Sequence, residues 1–180
     1  MINYNKIVQN FREATKALRN PQAFFCGQLS EVDINKLGAK HYPLVYLEPG
    51  NVNIDTGTMT YSFTVYVLEQ TLNEDIEKQD FFEGVVNNFE DKRDAVGDTY
   101  NFTLNILKDL ISTFKQNLSD VVGNPAYPVD VLDKEMIIQI PINAQPITMQ
   151  FDNVLSGWTA EIQVLVNNKN NLCTAPIYSV

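Results

Sequence analysis

The apolar residues of this chain follow a helical period in two segments and a strand period elsewhere, and this order restricts the fold. Residues 3–19 carry Ile7, Phe11, Ala14 and Leu18 at steps of three and four, which predicts an amphipathic helix that ends at Asn20-Pro21. A longer stripe begins at Leu104 and ends at Leu118. It predicts the main helix, with Asp98 or Thr99 as its N-cap.

Strands are predicted on both sides of the main helix. Residues 61–68 give the clearest one, since Tyr61, Phe63, Val65 and Val67 alternate with polar or outward-facing residues. Residues 23–27 and 42–47 predict two shorter strands, the second ended by a turn at Pro49-Gly50. The polar residues 51–58 are then expected to form a long projecting loop.

The last third of the chain predicts three more strands. Alternating apolar residues cover 136–142, 147–151 and 158–166, and turns at 143–145 and 152–157 would join them into an antiparallel meander. Pro141 and Pro146 favour an edge position for at least one strand. The order of elements predicts an α+β fold, a mostly antiparallel sheet flanked by an N-terminal helix and one long central helix.

The chain has the size and composition of one folded domain. It has 180 residues, of which 44% are hydrophobic, so a single α+β domain over residues 1–180 is expected. Segments 50–58 and 71–90 are expected to project from it, and residues from about 167 onwards to form a flexible tail. Residues 71–90 fit a short helix or an extended arm, and the sequence does not decide between them.

Catalytic and metal-binding motifs are not found in the sequence. There is one histidine, His41, and the two cysteines, Cys26 and Cys173, lie far apart. A zinc site or a conventional catalytic triad is therefore not expected. We predict no enzymatic activity, no cofactor and no metal, while the sequence leaves open whether the two cysteines pair.

The charge argues against nucleic-acid recognition. The chain has 13 Lys and Arg against 22 Asp and Glu, a net charge of −9, whereas groove-reading proteins need clustered basic residues. The N-terminus lacks the pattern of a secretory signal, and no apolar run is long enough to span a membrane. Synthesis in the cytoplasm and no membrane partner are expected.

Aromatic and polar residues of the two projecting segments are the candidate interface. Buried aromatic side chains dominate the binding energy of many protein interfaces, and long connections often contact neighbouring subunits. The candidates are Phe81, Phe82, Asn51, Asn53 and Asp55.

Several segments together resemble a known family. They are the N-terminal helix leading to Phe24-Phe25-Cys26-Gly27, the segments 42–46 and 61–68, the helix 99–118, and the strand 157–161 with the ending 173–177. In these segments the chain is similar to the tail-terminator and tail-completion (neck ring) proteins of tailed bacteriophages, particularly those of crAss-like and other Bacteroides-type phages.

The resemblance implies a structural subunit of the virion. It implies a six-fold or twelve-fold ring in the neck or tail, of the tail-terminator or head–tail connector type, through which DNA passes without being bound specifically. Other copies of the chain and adjacent neck, tail or portal-side proteins would be the partners, after synthesis in the host bacterial cytoplasm. The alternative is a small acidic protein-binding module with no role in the virion.

A ring of this kind would give the acidic residues a role. Carboxylates that face a DNA channel repel phosphate, and the candidates for the lumen are Glu48, Asp55, Glu74, Asp75 and Glu77. In the competing interpretation the negative charge keeps the free subunit soluble, and the acids lie on the outer face.

Overall fold

A computed structural model describes residues 4–28, 37–70, 95–116, 136–150 and 155–167. Two α-helices lie in these ranges, α1 (Tyr4–Ala17) and α2 (Ala95–Gln116), with a 3-10 turn at Ala39–His41. The strands are β1 (Ala23–Cys26), β2 (Leu44–Ile54), β3 (Thr58–Gln70), β4 (Met136–Ile138), β5 (Ala144–Gln150) and β6 (Leu155–Asn167). The predicted α+β fold with a mostly antiparallel sheet is confirmed.

The six strands form one sheet built around the pair β3 and β6. These two strands pair antiparallel along their whole length, from Thr58 opposite Asn167 to Gln70 opposite Leu155. The order across the sheet is β1-β2-β3-β6, and both β4 and β5 pair with the remaining edge of β6. Only β1 is parallel to its neighbour among the pairs of the described strands.

Of the meander predicted for the last third, the antiparallel pairing of β5 with β6 is confirmed, whereas the pairing of β4 with β5 is wrong. β4 and β5 do not pair with each other but follow one another along β6, with Met136 opposite Val166 and Ala144 opposite Ala160. Residues 139–143 between them lie outside the strands, although the Gln139 N–H still donates to the Gln163 carbonyl of β6 at 2.9 Å. Pro141 has no N–H to donate. The predicted edge position is confirmed for β5, which contains Pro146 and pairs only with β6 among the described strands, whereas Pro141 lies between β4 and β5.

The main core lies between the two helices and one face of the sheet. Phe11 of α1 packs against Phe63 of β3 with ring centroids 5.6 Å apart, and Leu107 and Leu110 of α2 are buried in the same cluster. Ile7 and Ala14 are also buried there, which confirms the apolar stripe predicted for the first helix. Burial of this stripe supplies most of the helix's stability.

On the opposite face of the sheet, the described residues form an apolar cluster at one end. This smaller cluster contains Tyr42, Leu44, Tyr46, Leu68, Ile147 and Leu155. Tyr46 is fully buried, and its hydroxyl donates a 2.8 Å hydrogen bond to the carbonyl oxygen of Gln28. The rest of this face, the open face, carries polar side chains such as Thr64, Glu161 and Gln163, and it also carries the aliphatic side chains of Ile137 and Leu165.

Two predicted boundaries are wrong. β2 does not end at Pro49-Gly50 but continues to Ile54, because the pairing register with β3 shifts between Pro49 and Val52 and a bulge absorbs the irregular residues. The predicted long loop is therefore a hairpin with only residues 55–57 between its strands. α2 begins at Ala95, so Asp98 and Thr99 lie inside the helix rather than before it.

Some expectations fall outside the described residues. Segment 71–90 and the tail from residue 168 belong to this group, as does Cys173. Among the described helices, none has the length and apolar character needed to cross a membrane.

Candidate interaction surfaces

The β2–β3 hairpin ends in an exposed segment with two uncovered aliphatic side chains. Residues 50–58 are all exposed, and Val52 and Ile54 keep 45% and 58% of their surface in solvent. Val52 pairs with Tyr61, and Ile54 pairs with Met59. Because directly opposite residues share a face of the sheet, both side chains lie on the helical face, beside the main core.

One edge of this hairpin has no partner strand within the described part of the chain. β1 pairs with β2 only from Leu44 to Leu47, so residues 49–54 are paired on the β3 side alone. Exposed edges are usually protected by proline, lysine or a bulge. Pro49 and the bulge protect only the beginning, and the sequence from Asn51 to Ile54 has neither proline nor lysine.

The structure places three of the predicted interface residues on this hairpin. Asn51 and Asn53 lie in strand β2 rather than in a loop. Asp55 shapes the turn, since its backbone N–H donates to the Thr58 carbonyl at 2.9 Å and its carboxylate accepts from the Thr56 N–H at 2.6 Å. The other two candidates, Phe81 and Phe82, lie outside the described residues.

The open face of the sheet carries two glutamates with a threonine between them. Glu48 of β2 is opposite Thr64 of β3, which is opposite Glu161 of β6. Neighbouring strands lie about 4.8 Å apart, so the Cα atoms of the two glutamates are about 10 Å apart. This part of the sheet therefore presents negative charge to solvent.

Tyr66 fixes the orientation of Glu48. Its hydroxyl donates a 2.9 Å hydrogen bond to Oε2 of Glu48. Burial, and then the hydrogen bond to and charge of Glu48, raise the pKa of Tyr66 to about 12. The phenol therefore remains a protonated donor at neutral pH.

A polar groove lies beside residues 139–143, which connect β4 to β5. Its volume is about 470 Å³, and it is open to solvent along β6. The lining is rich in amide and hydroxyl groups and consists of Thr64, Gln139, Ile140, Pro141, Asn143, Gln145, Thr159, Ala160, Glu161 and Gln163. Glu161 is the one carboxylate in this lining, and it makes no hydrogen bond or ion pair with the other described residues.

The basic residues of the described ranges lie outside the strands. They are Lys6, Arg12, Lys16, Arg19, Lys40, Lys108 and Lys115. Arg12 and Lys16 are exposed and four residues apart, so they lie on one side of α1. Arg19 is also exposed and follows the end of the helix, and these three cations form a basic stripe. Arg12 lies 5.7 Å from the ring centroid of Phe24 in β1, so this basic stripe runs beside the β1 edge of the sheet.

The acids predicted for a channel are separated in the structure. Glu48 lies on the open face of the sheet, whereas Asp55 lies in the hairpin turn. Glu74, Asp75 and Glu77 lie outside the described residues. That all five face a lumen therefore remains a prediction.

His41 and Cys26 each lie next to a polar group of the fold. Nδ1 of His41 lies 3.1 Å from the carbonyl oxygen of Gly38 within the 3-10 turn. Sγ of Cys26 lies 3.5 Å from the Tyr4 hydroxyl, and the Tyr4 pKa is raised to about 12 by burial and by this neighbour. The described residues contain no group of three or more His, Cys, Asp or Glu side chains that would hold a metal ion.

The groove was missed by sequence reasoning because no motif marks it. Its lining comes from β3, β6 and the segment 139–145, which only strand pairing brings together. The one feature of the sequence that pointed to the groove was weak, since Glu161 is only one of several outward-facing residues of an alternating strand. Comparison with known proteins gives no match, neither to a protein-family model nor to a curated protein.

Proposed function

We propose that the protein is a non-enzymatic structural subunit of a tailed-bacteriophage virion. Copies of it form a ring in the neck or tail, of the tail-terminator or head–tail connector type, and DNA passes through that ring. The support for the virion role is the resemblance of the segments named above, and an α+β fold with a mostly antiparallel sheet agrees with it.

The exposed edge of the hairpin is the observation that best supports the proposed self-assembly. Residues 49–54 leave backbone N–H and C=O groups without a partner strand in the described part of the chain, beside the exposed aliphatic side chains of Val52 and Ile54. An edge of this kind is a template for pairing with another chain. Contact with a neighbouring subunit or an adjacent ring would cover both the edge and the aliphatic groups.

The decisive experiment is quantitative mass spectrometry of purified virions, combined with electron microscopy of the isolated protein. We expect the protein in particles at the copy number of one or a few rings, and closed rings either in the isolated protein or in the particle. Non-virion protein from the same lysate is the control. Absence from particles, together with a stable complex with a non-virion protein, would favour the acidic binding module instead.

A further inference from the structure

We infer that the polar groove beside Glu161 receives Arg19 of a second copy, so that neighbouring subunits join head to tail. The inference rests on the proposed self-assembly and names a contact that would build the ring. Two residues carry it, one on each side of the interface, and both lie on surfaces that the fold leaves exposed.

Arg19 and Glu161 are complementary charges that the described fold leaves unpaired. Arg19 follows α1, is exposed and forms no hydrogen bond or ion pair with the described residues. The other two cations of the basic stripe are engaged locally, Arg12 over the Phe24 ring and Lys16 with Glu13 at 3.1 Å. Arg19 is therefore the member of the stripe that is available to a partner.

The chemistry of the groove suits a guanidinium group. A guanidinium has five N–H donors and no acceptor, and it binds a carboxylate through two parallel hydrogen bonds. Glu161 would accept two of these donors, and the side-chain oxygens of Gln139, Gln145 and Gln163 would accept others. Glu48, about 10 Å away across Thr64, adds negative potential on the same face.

The two groups lie toward opposite edges of the sheet. Arg19 precedes β1, which starts at Ala23 and forms one edge, whereas the groove lies where β6 meets β4 and β5 at the other edge. β1 and β6 are three strand spacings apart, about 14 Å. A contact between different surfaces is heterologous and closes into a ring when the rotation allows.

Charge reversal on each side tests the contact. Arg19→Glu and Glu161→Arg each place like charges together, so either variant alone should associate at least about tenfold more weakly than the unmodified protein. The control variants Lys108→Glu and Asp109→Arg make the same charge changes at exposed positions of α2, which supplies no residue to the groove lining. They should associate normally in native mass spectrometry or sedimentation velocity.

Recovery by mixing is a result that misfolding would not give. In an equimolar mixture of the two single variants, the introduced glutamate of one meets the introduced arginine of the other. At the alternate interfaces the unchanged Arg19 of the second variant meets the unchanged Glu161 of the first, so alternating assemblies should form. The double variant Arg19→Glu/Glu161→Arg should also assemble by itself.

If the isolated protein assembles only on the virion, incorporation into particles after co-expression is the readout for the same set of variants.

The outcomes separate the inference from the proposed function. Normal assembly of both single variants would overturn the inference and leave the ring proposal intact. A single variant that fails and is not restored by mixing, or a protein that forms only a two-fold dimer, would also overturn it. A protein that neither self-assembles nor enters particles would overturn the ring proposal itself.

Discussion

At the scale of single residues, Gly157 shows how a close backbone contact restricts side-chain size. The Cβ of any other residue would lie 2.0 Å from the carbonyl oxygen of Val67 on the paired strand. Both atoms belong to the central pair β3 and β6, so neither strand moves without disturbing the sheet. Glycine is therefore required here by space.

We predict that Gly157→Ala lowers the free energy of unfolding by at least about 2 kcal/mol, because overpacking forces the backbone to shift. Urea denaturation followed by circular dichroism measures this change. Gly38→Ala is the matched control, since a Cβ there would meet no atom within 4 Å, and it should alter stability by less than about 0.5 kcal/mol. Equal stability of the two variants would contradict the tight contact.

Burial of Tyr66, and then its hydrogen bond to Glu48, predict a loss of stability at alkaline pH. The pKa of Tyr66 is raised to about 12 in the folded chain, compared with about 10 for an unperturbed tyrosine. A raised pKa means that the stabilisation is fully present below the unfolded value, near pH 10, and is lost as pH rises through about 12. An ionised Tyr66 could no longer donate this hydrogen bond, and its negative charge would face the carboxylate of Glu48.

Tyr66→Phe should therefore lower stability by roughly 1 kcal/mol at pH 7, the usual contribution of such a bond, and reduce the alkaline loss. Denaturation at several pH values from 8 to 11.5 measures both effects. Tyr4, whose pKa is also raised to about 12, continues to contribute to the alkaline loss in this variant. An unchanged pH dependence in Tyr66→Phe would contradict the raised pKa of Tyr66.

At the scale of elements, we expect the exposed end of the β2–β3 hairpin to contribute more to assembly than to folding. Its exposed aliphatic side chains contribute little to the core, since Val52 and Ile54 remain about half in solvent. The strands are instead held by their pairing and by the buried residues of β3 and β6. Changes at the two exposed positions should act on association more than on folding.

The double variant Val52→Lys/Ile54→Lys should keep its fold and lose self-association, because lysine on an edge strand opposes pairing with another chain. We expect a change in unfolding free energy below about 1 kcal/mol, as for exposed positions, with a shift to monomer in native mass spectrometry. Phe102→Lys, which replaces an exposed apolar residue of α2, is the control and should assemble. Normal assembly of the hairpin variant would remove this edge from the interface.

At the scale of the whole molecule, the negative charge is unevenly distributed along the sequence. The described ranges contain seven Lys and Arg and seven Asp and Glu, which leaves six basic and 15 acidic residues elsewhere in the chain. The net charge of −9 therefore comes from residues outside the described ranges. Glu74, Asp75 and Glu77 belong to that group.

If these three acids line a DNA channel, replacing them by Gln, Asn and Gln should leave assembly intact and impair DNA passage, because a less negative wall retains phosphate. Infectivity and DNA release from particles measure this effect. Glu13→Gln/Asp98→Asn/Asp109→Asn, which changes three acids of the two helices, is the control with the same charge change. Normal DNA passage after neutralisation would favour the interpretation in which these acids only keep the free subunit soluble.

Local sequence patterns determined the fold class and the faces of the main elements. The stripe Ile7, Phe11 and Ala14 is buried, and the alternation of Tyr61, Phe63 and Val65 places these residues on the core face, as predicted. Such patterns are reliable because the helical or strand period alone decides which side chains share a face. Proline was similarly informative, since Pro146 lies in the edge strand β5 and Pro141 lies outside the strands.

Only the tertiary structure decided which strands pair and what their pairing brings together. The bulge that continues β2 past Pro49-Gly50, the tandem pairing of β4 and β5 with β6, and the groove around Glu161 all depend on register between distant segments. The placement of Arg19 at the edge opposite this groove depends on strand order. Register and order are set by the combined energy of long-range backbone pairing and core packing, which no short sequence pattern records.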